Sequence, residues 1–215
     1  RLGLLSPAAF LPLAEEQGLA VDLDLWVLRT ASTALAEAMA DTSHQADPPY
    51  LAVNVSVHTL LDDRLLPAVR EARSERDLAP GQLVVELIES RSLIDLPGVV
   101  ERLTELRRMG VRVSLDDFGT GYSTLTWLHR LPMDQIKIDR SFVAPLPDDA
   151  SSIALVRGVV ALASEIGVAV VAEGVEDTGQ RDALIAAGCR HVQGYLYGRP
   201  DPSLVRCLRL GGAEA

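Results

Sequence analysis

Disulfide pairs, membrane-length apolar runs and a signal-peptide pattern are all missing from this sequence of 215 residues. The two cysteines, Cys189 and Cys207, form neither a CxxC pair nor a zinc-type spacing. We therefore interpret both as packed residues of a protein in a reducing, cytoplasmic compartment. No apolar run reaches the ~18 residues of a membrane span, so we expect no membrane insertion by this segment.

Clusters of basic residues are also missing. The net charge is −10 and the pI is about 4.8. This charge argues against binding to a DNA or RNA polymer or to an anionic membrane. An acidic protein can still bind a phosphate ligand where divalent cations reverse the local charge. The histidines have no ligand-like arrangement, and we interpret them as surface or packing residues: His44, His58, His129 and His191.

Strand and helix patterns alternate along the chain without a linker, which predicts one domain over residues 1–215. Ser6 and Pro7 are typical of a helix start and Gly18 of its end, and a second amphipathic helix fits residues 22–40. Further helices are predicted at 96–109, 153–166 and 178–187, closed by glycines. Six apolar runs read as strands: residues 51–55, 83–88, 111–115, 135–138, 168–172 and a weaker 191–192.

Continuous apolar strands that alternate with helices indicate a parallel sheet covered by helices. Both a doubly wound sheet and a (β/α)₈ barrel fit this α/β pattern. A barrel needs eight strands and typically ~250 residues. The chain starts at Arg1 rather than at a methionine, and it opens on a helix. For a barrel, we therefore expect the N-terminal one or two strands to be absent and the chain to be a truncated piece of a longer protein.

Polar residues follow or end each predicted strand, and Asp116-Asp117 is the most informative of them. Adjacent carboxylates repel each other, so the pair favours a bound cation or a protonated member. The carboxyl ends of barrel strands open on one face, where oxygen ligands would suit Mg²⁺ or Mn²⁺. The residues at these ends are Asn54, Glu86, Glu89, Asp116, Asp117, Lys137, Asp139, Glu173, Glu176 and Gln193.

Each residue also has a simpler interpretation. Asp116-Asp117 could be a solvated turn, and Asn54 could cap the turn after its strand. Lys137 could form a structural salt bridge with Glu86, because a carboxylate within an apolar strand needs a partner. Gln193 could hydrogen-bond a loop. Because all these residues would lie on one face of one fold, the set as a whole favours a binding centre.

At this point the sequence resembles the EAL domain, a family of bacterial phosphodiesterases that open cyclic di-GMP to linear pGpG. The most specific segment is a DDFGTGYS string followed about 20 residues later by KIDRSF. LAVNVS at 51–56, VAEGVE at 171–176 and QGYLYGRP at 193–200 extend the resemblance over nearly the whole chain. The resemblance implies a TIM-like (β/α) barrel with two metal ions, Mg²⁺ or Mn²⁺, and cyclic di-GMP as substrate.

The resemblance also implies a role for each residue. Asn54, Glu86, Asp116 and Glu173 would hold the first metal. Asp116 and Asp117 would reach the second metal, assisted by Asp139. The catalytic residues would be Lys137, which orients or helps deprotonate the attacking water, with Glu173 and Gln193. Glu176 would support the loop around Glu173. Glu89 would brace a loop that the family couples to dimerisation: Phe118, Gly119, Thr120, Gly121, Tyr122 and Ser123.

The sequence departs from the family pattern at one motif, and we consider three possible functions. The family's Glu-Ala-Leu motif, whose glutamate is a metal ligand, does not precede Gly3. The first hypothesis is an active phosphodiesterase, expected as a cytoplasmic homodimer with an upstream sensor, diguanylate cyclase domain or membrane tether. The alternative is an inactive cyclic di-GMP receptor or regulatory scaffold. A third, an enolase-type acidic barrel, is disfavoured by the DDFGTGYS segment.

Overall fold

The structure, a computed structural model, describes residues 5–40, 48–88, 96–119, 128 and 130–201. Helices and strands alternate along these ranges, as the sequence predicts. In chain order the elements are α1 (Pro7–Glu16), α2 (Ala20–Ala40), β1 (Leu51–Asn54), α3 (Val57–Leu61), α4 (Leu65–Glu75), β2 (Leu83–Ile88), α5 (Val99–Arg108), β3 (Arg112–Phe118), β4 (Gln135–Ile138), α6 (Arg140–Val143), α7 (Ala150–Glu165), β5 (Ala169–Ala172), α8 (Thr178–Ala186) and β6 (His191–Val192).

The strands of the described ranges form one sheet in which all neighbouring pairs are parallel. Their spatial order is the order of the sequence, β1 to β6. A doubly wound sheet reverses its strand order at a switch point, whereas a barrel adds each strand beside the last. The sheet is therefore a curled half-barrel covered by helices, and the prediction of a TIM-like α/β fold is confirmed.

The core lies between the sheet and its helices. Alternate strand residues such as Val85, Val113 and Ile136 belong to one buried cluster with Leu103 and Leu106 of α5. Each fully buried leucine contributes about 1.5–3 kcal/mol to folding. Because side chains alternate along a strand, the residues between these point to the inner face of the half-barrel. That face carries the buried polar residues of the strands: Glu86, Ser114, Gln135 and Lys137.

Helix ends largely follow the predicted signals. Pro7 occupies the first turn of α1, but the Ser6 side chain makes no capping hydrogen bond, so only part of that prediction holds. Asp177 and Gln180 form a reciprocal capping box at the start of α8, which satisfies two backbone N–H groups. Gly167 follows α7 with a φ of 72° and ends the helix in the left-handed region, as predicted.

Several element ends differ from the predicted bounds by one to three residues, among them the end of β3, and the pattern does not assign three of the helices. Strand β3 continues through Phe118, whereas the apolar run predicts an end at Leu115. The pattern also leaves α3, α4 and the one-turn α6 unassigned, although α4 is amphipathic and buries Leu65 and Val69. None of the helices in the described ranges combines the length and the apolar character needed to cross a bilayer.

Candidate metal centre

Four of the predicted site residues meet at the carboxyl end of the sheet, because parallel strands all finish on that side. The sheet register brings the strand ends level with one another. Ile88 pairs with Asp116, and Ile138 pairs with Ala172, the residue before Glu173. The four residues are Glu86 on β2, Asp116 on β3, Lys137 on β4 and Glu173 directly after β5.

Lys137 lies at the centre of this group. Its Nζ is 3.0 Å from Glu86 Oε1, 3.1 Å from Asp116 Oδ1 and 2.5 Å from Glu173 Oε1. The Lys137 side chain is only 5% exposed, so water screens these ion pairs weakly. The structural salt bridge between Lys137 and Glu86 is therefore present, but it is one of three contacts. A single ammonium holds three carboxylates from three different strand ends.

A β-bulge brings Asp117 to the same side as Asp116. Leu115 pairs with Ile136 and Phe118 with Ile138, so β3 contains one residue more than β4 between these pairs. Asp117 has a φ of 57°. In a regular strand, two consecutive side chains would point to opposite faces. Here both carboxylates face the centre, and the Asp117 N–H donates a hydrogen bond to Asp116 Oδ1 at 3.1 Å.

Three carboxylates of the centre, those of Glu86, Asp117 and Glu173, have raised pKa values. Burial raises the pKa of Glu86 and of Glu173, and Lys137 opposes the shift in both cases. Burial also raises the pKa of Asp117, and the negative charges of Asp116 and Asp139 add to that increase. A bound cation would relieve this repulsion, because positive charge favours the ionised forms.

The pKa of Lys137 moves in the opposite sense to what burial alone would cause. Burial disfavours the ammonium and lowers its pKa, but the hydrogen bond to Glu173 and the charges of Glu86 and Asp116 outweigh it. The net result is a raised pKa. Lys137 is therefore an ammonium throughout the neutral pH range, and it is the only lysine in the sequence.

Gln193 and Asp139 border the centre. Gln193 Nε2 donates a hydrogen bond to Glu173 Oε1 at 2.6 Å. Asp139 Oδ1 accepts one from the Ser141 N–H at 3.0 Å and caps α6. Burial would raise the pKa of Asp139, but its hydrogen bonds with Ser141 lower the pKa overall. Asp139 is thus an ionised neighbour of Asp117, and its Oδ1 already accepts a hydrogen bond from Ser141.

Asn54 and Glu176 take less central positions. Asn54 pairs with Glu86 in the sheet register, but it lines a separate cavity of about 340 Å³. Glu176 is exposed and lines the cavity beside the centre. Its backbone N–H donates to Gln180 Oε1 at 2.7 Å, which ties its loop to α8. The role of each side chain toward a metal stays a prediction.

The predicted loop falls partly outside the described residues. Glu89, Thr120, Gly121, Tyr122 and Ser123 lie outside them. Phe118 is buried in the core. Gly119 has a φ of 104°, and a Cβ on it would lie 2.8 Å from the ring of Phe142. Glycine is therefore required where the chain leaves β3, because a side chain would be strained and would meet Phe142.

A cavity of about 800 Å³ opens beside the carboxylates. Its lining includes residues that are not among the sequence candidates, notably Arg140, Tyr195 and Arg199. The Arg199 guanidinium lies over the Tyr195 ring, 4.6 Å from its centroid. Arg140 follows the end of β4 after Asp139, and Tyr195 and Arg199 lie in the segment that follows β6, which was the available signal. The arginines bring positive charge to the edge of an otherwise acidic centre.

The donor set suits a hard divalent cation. Asp116, Asp117 and Glu173 each offer a carboxylate oxygen, and these oxygens all lie within 4.8 Å of one another. Carboxylate oxygens are the ligands that such ions prefer. The fold and this group define an α/β-barrel domain with an acidic centre that can hold a metal ion. The family model described as EAL domain matches residues 1–200, and the chain belongs to that family.

Characterised relatives agree with this assignment. The chain is 41% identical over 201 residues to the bifunctional diguanylate cyclase/cyclic di-GMP phosphodiesterase MucR of Pseudomonas aeruginosa, covering 94% of this chain and 29% of MucR. It is 39% identical over 202 residues to the cyclic di-GMP phosphodiesterase NbdA of the same organism, covering 93% of this chain and 25% of NbdA. The chain thus spans less than a third of either protein.

Solved structures show the same fold. The MucR phosphodiesterase in complex with c-di-GMP superposes with a TM-score of 0.82 at 39% identity, covering 94% of this chain and 81% of that one. The EAL enzyme Bd1971, bound to cAMP and cyclic di-GMP, gives a TM-score of 0.88 at 30% identity, covering 97% of this chain and 56% of that one.

Proposed function

We propose that this chain is the catalytic part of a phosphodiesterase that hydrolyses cyclic di-GMP to linear pGpG. The observation that carries the proposal is the convergence of Glu86, Asp116 and Glu173 on Lys137 at the carboxyl ends of the strands. The phosphodiesterase names of MucR and NbdA support the same reaction.

The proposed cofactors are two ions, Mg²⁺ or Mn²⁺. Asp116, Asp117 and Glu173 would hold them, with Glu86, Asn54 and Asp139 as further oxygen ligands. When bound, such ions stabilise phosphoryl oxygens and lower the pKa of a coordinated water. The close approach of the Asp116, Asp117 and Glu173 oxygens supports this assignment.

The chain's own side chains would act on the substrate in three ways. The Lys137 ammonium would orient the attacking water, because it is charged at neutral pH and fixed by ion pairs. Gln193 would hold Glu173 in one orientation through its hydrogen bond. Arg140 and Arg199, which line the adjoining cavity, would attract the two phosphates of the substrate.

The proposal extends to the longer protein. We expect an upstream sensor or diguanylate cyclase domain, since MucR combines a cyclase with a phosphodiesterase. We also expect a homodimer in the cytoplasm, with or without a membrane tether outside this segment. The charge of −10 disfavours a nucleic-acid polymer as a partner.

Product analysis tests the proposal. The chain is incubated with cyclic di-GMP and Mn²⁺, and pGpG is measured by chromatography alongside Asp116→Asn. Asp182→Asn is the matched control, because Asp182 is an exposed carboxylate paired with Arg181, away from the centre. Turnover that Asp116→Asn loses and Asp182→Asn keeps supports the proposal. Binding of cyclic di-GMP without product would favour the receptor function, and neither binding nor turnover would contradict both.

A further inference from the structure

Lys137 is bonded to the same carboxylates that the proposed metal centre requires. Glu173 Oε1 accepts from both Lys137 and Gln193, and Asp116 Oδ1 accepts from both Lys137 and the Asp117 N–H. These two oxygens are therefore already engaged twice. A divalent ion held by Asp116 and Glu173 has to share them with the ammonium or displace it.

We propose that Lys137 competes with the divalent ion for the oxygens of Asp116 and Glu173 and thereby sets the metal affinity of the centre. This inference rests on the proposed metal centre and goes beyond the role of Lys137 in orienting water. Lys137 acts here as a positioning residue: it keeps the carboxylates together and yields them to an ion of higher charge.

The electrostatic reason is direct. An ammonium 2.5–3.1 Å from three carboxylates neutralises part of the charge that attracts a divalent ion. It also repels that ion across a short distance in a poorly solvated site, where charges interact strongly. Because the Lys137 side chain is only 5% exposed, water screens this repulsion weakly.

A purely structural role makes the opposite prediction. If Lys137 only assembled the carboxylates, its removal would scatter them and weaken metal binding. If Lys137 competes, its removal frees two oxygens and strengthens metal binding even though turnover falls. Affinity and turnover then move in opposite directions, which loss of structure does not produce.

The test is an Mn²⁺ titration followed by the electron paramagnetic resonance of the free ion, at pH 8 so that protons compete little for the carboxylates. Lys137→Met is compared with the unchanged chain and with Lys137→Arg, which keeps the positive charge. We expect Lys137→Met to bind Mn²⁺ about tenfold more tightly, a difference of about 1.4 kcal/mol. Lys137→Arg is expected to show no such gain.

A second measurement uses the unchanged chain and so does not depend on the folding of a variant. Because Lys137 is the only lysine, the ¹⁵N spectrum of side-chain ammonium groups contains one lysine signal. We expect addition of diamagnetic Mg²⁺ to shift or broaden that signal as the ion pairs to Asp116 and Glu173 are exchanged.

The outcomes separate the two proposals. Tighter Mn²⁺ binding by Lys137→Met, together with a perturbed lysine signal, supports the competition. Equal or weaker Mn²⁺ binding by a folded Lys137→Met overturns the proposed competition. A lysine signal that is unchanged at saturating Mg²⁺ overturns it as well. Both results leave the proposed function standing. An unchanged chain that binds neither ion refutes the proposed metal centre and the competition together.

Discussion

Gln193 Nε2 donates a hydrogen bond to Glu173 Oε1 at 2.6 Å, and the same oxygen lies 2.5 Å from Lys137 Nζ. One carboxylate oxygen therefore joins residues that follow or lie on three strands, β4, β5 and β6. Groups that hydrogen-bond a metal ligand fix its orientation and raise the affinity of a metal site. If Glu173 is a metal ligand, as proposed, this hydrogen bond makes Gln193 a support of the centre, although Gln193 itself is exposed.

Replacing Gln193 tests that support. We expect Gln193→Leu to lower Mn²⁺ affinity by about 10–100-fold, because Glu173 loses the bond that orients it. Isothermal titration measures the affinity, and thermal unfolding checks the fold. The control is Gln135→Leu, which removes an amide bonded to Ser114 Oγ at 3.3 Å on neighbouring strands. An equal loss of affinity in both variants would show that Gln193 has no special role.

Two substitutions at Asp117 distinguish the effect of its carboxylate charge from the effect of its left-handed backbone conformation in the bulge. Asp117→Asn keeps a residue that tolerates the φ of 57° and removes the carboxylate, so we expect normal stability but weaker Mn²⁺ binding. Asp117→Val also places a β-branched residue in the left-handed region, which costs about 1–2 kcal/mol. Urea unfolding of the two variants measures the difference. Equal stability would mean that the backbone at Asp117 relaxes without strain.

Much of the fold could be predicted from the sequence because its signals are local. The apolar runs predict β2 and β4 with their observed bounds, 83–88 and 135–138. Parallel pairing follows from the helices between the strands. Convergence of Glu86, Lys137 and Glu173 then follows from the barrel geometry, in which all strand ends open on one side.

The rest depends on pairing between strands, which no local pattern encodes. The bulge that turns Asp117 toward Asp116 arises from the register of β3 against β4. Likewise, Lys137 contacts three carboxylates because three strand ends come level, whereas the sequence favoured at most a single partner, Glu86. The cavity that Asn54 lines is formed by residues from distant parts of the sequence, among them Leu11 and Ile88, so its own sequence context does not predict it.

Gly194, in the segment that follows β6, packs closely against Val175 in the segment that follows β5. A Cβ on Gly194 would lie 2.2 Å from the carbonyl oxygen and 2.3 Å from the nitrogen of Val175, neither of which can move without shifting the backbone. We therefore expect Gly194→Ala to destabilise the chain by about 1–3 kcal/mol or more, the usual cost of overpacking. It should also displace Gln193 from Glu173 and weaken Mn²⁺ binding.

Gly198 provides the matched control for that substitution. It lies in the same segment, yet a Cβ there would meet no atom within 4 Å. Gly198→Ala is accordingly expected to leave both stability and Mn²⁺ affinity unchanged. Chemical denaturation and metal titration of the two variants give the comparison, and a Gly194→Ala chain as stable as Gly198→Ala would disprove the close packing against Val175.

Asp149 makes the stability of α7 dependent on pH. Its Oδ2 accepts hydrogen bonds from Ser152 Oγ at 2.6 Å and from the Ser152 N–H at 2.7 Å, at the start of the helix. These bonds, the hydroxyl bond first, hold the pKa of Asp149 below its ordinary value of 3.8. The carboxylate thus stabilises the folded chain above that value, and the contribution is lost as the pH falls through the lowered pKa.

Asp149→Asn and Asp149→Ala separate the charge from the cap. Asparagine still caps a helix but does not titrate, whereas alanine does neither. Between pH 7 and 5 we expect the order of stability to be aspartate, asparagine, alanine, measured by urea unfolding. Because the other carboxylates are shared by all three chains, their titration cancels in the differences. The advantage of aspartate over asparagine should therefore shrink as the pH falls below 3.8 and disappear once the pH is below the lowered pKa of Asp149, while the advantage of asparagine over alanine remains. A difference between aspartate and asparagine that does not change with pH would show that the charge of Asp149 contributes nothing to the cap.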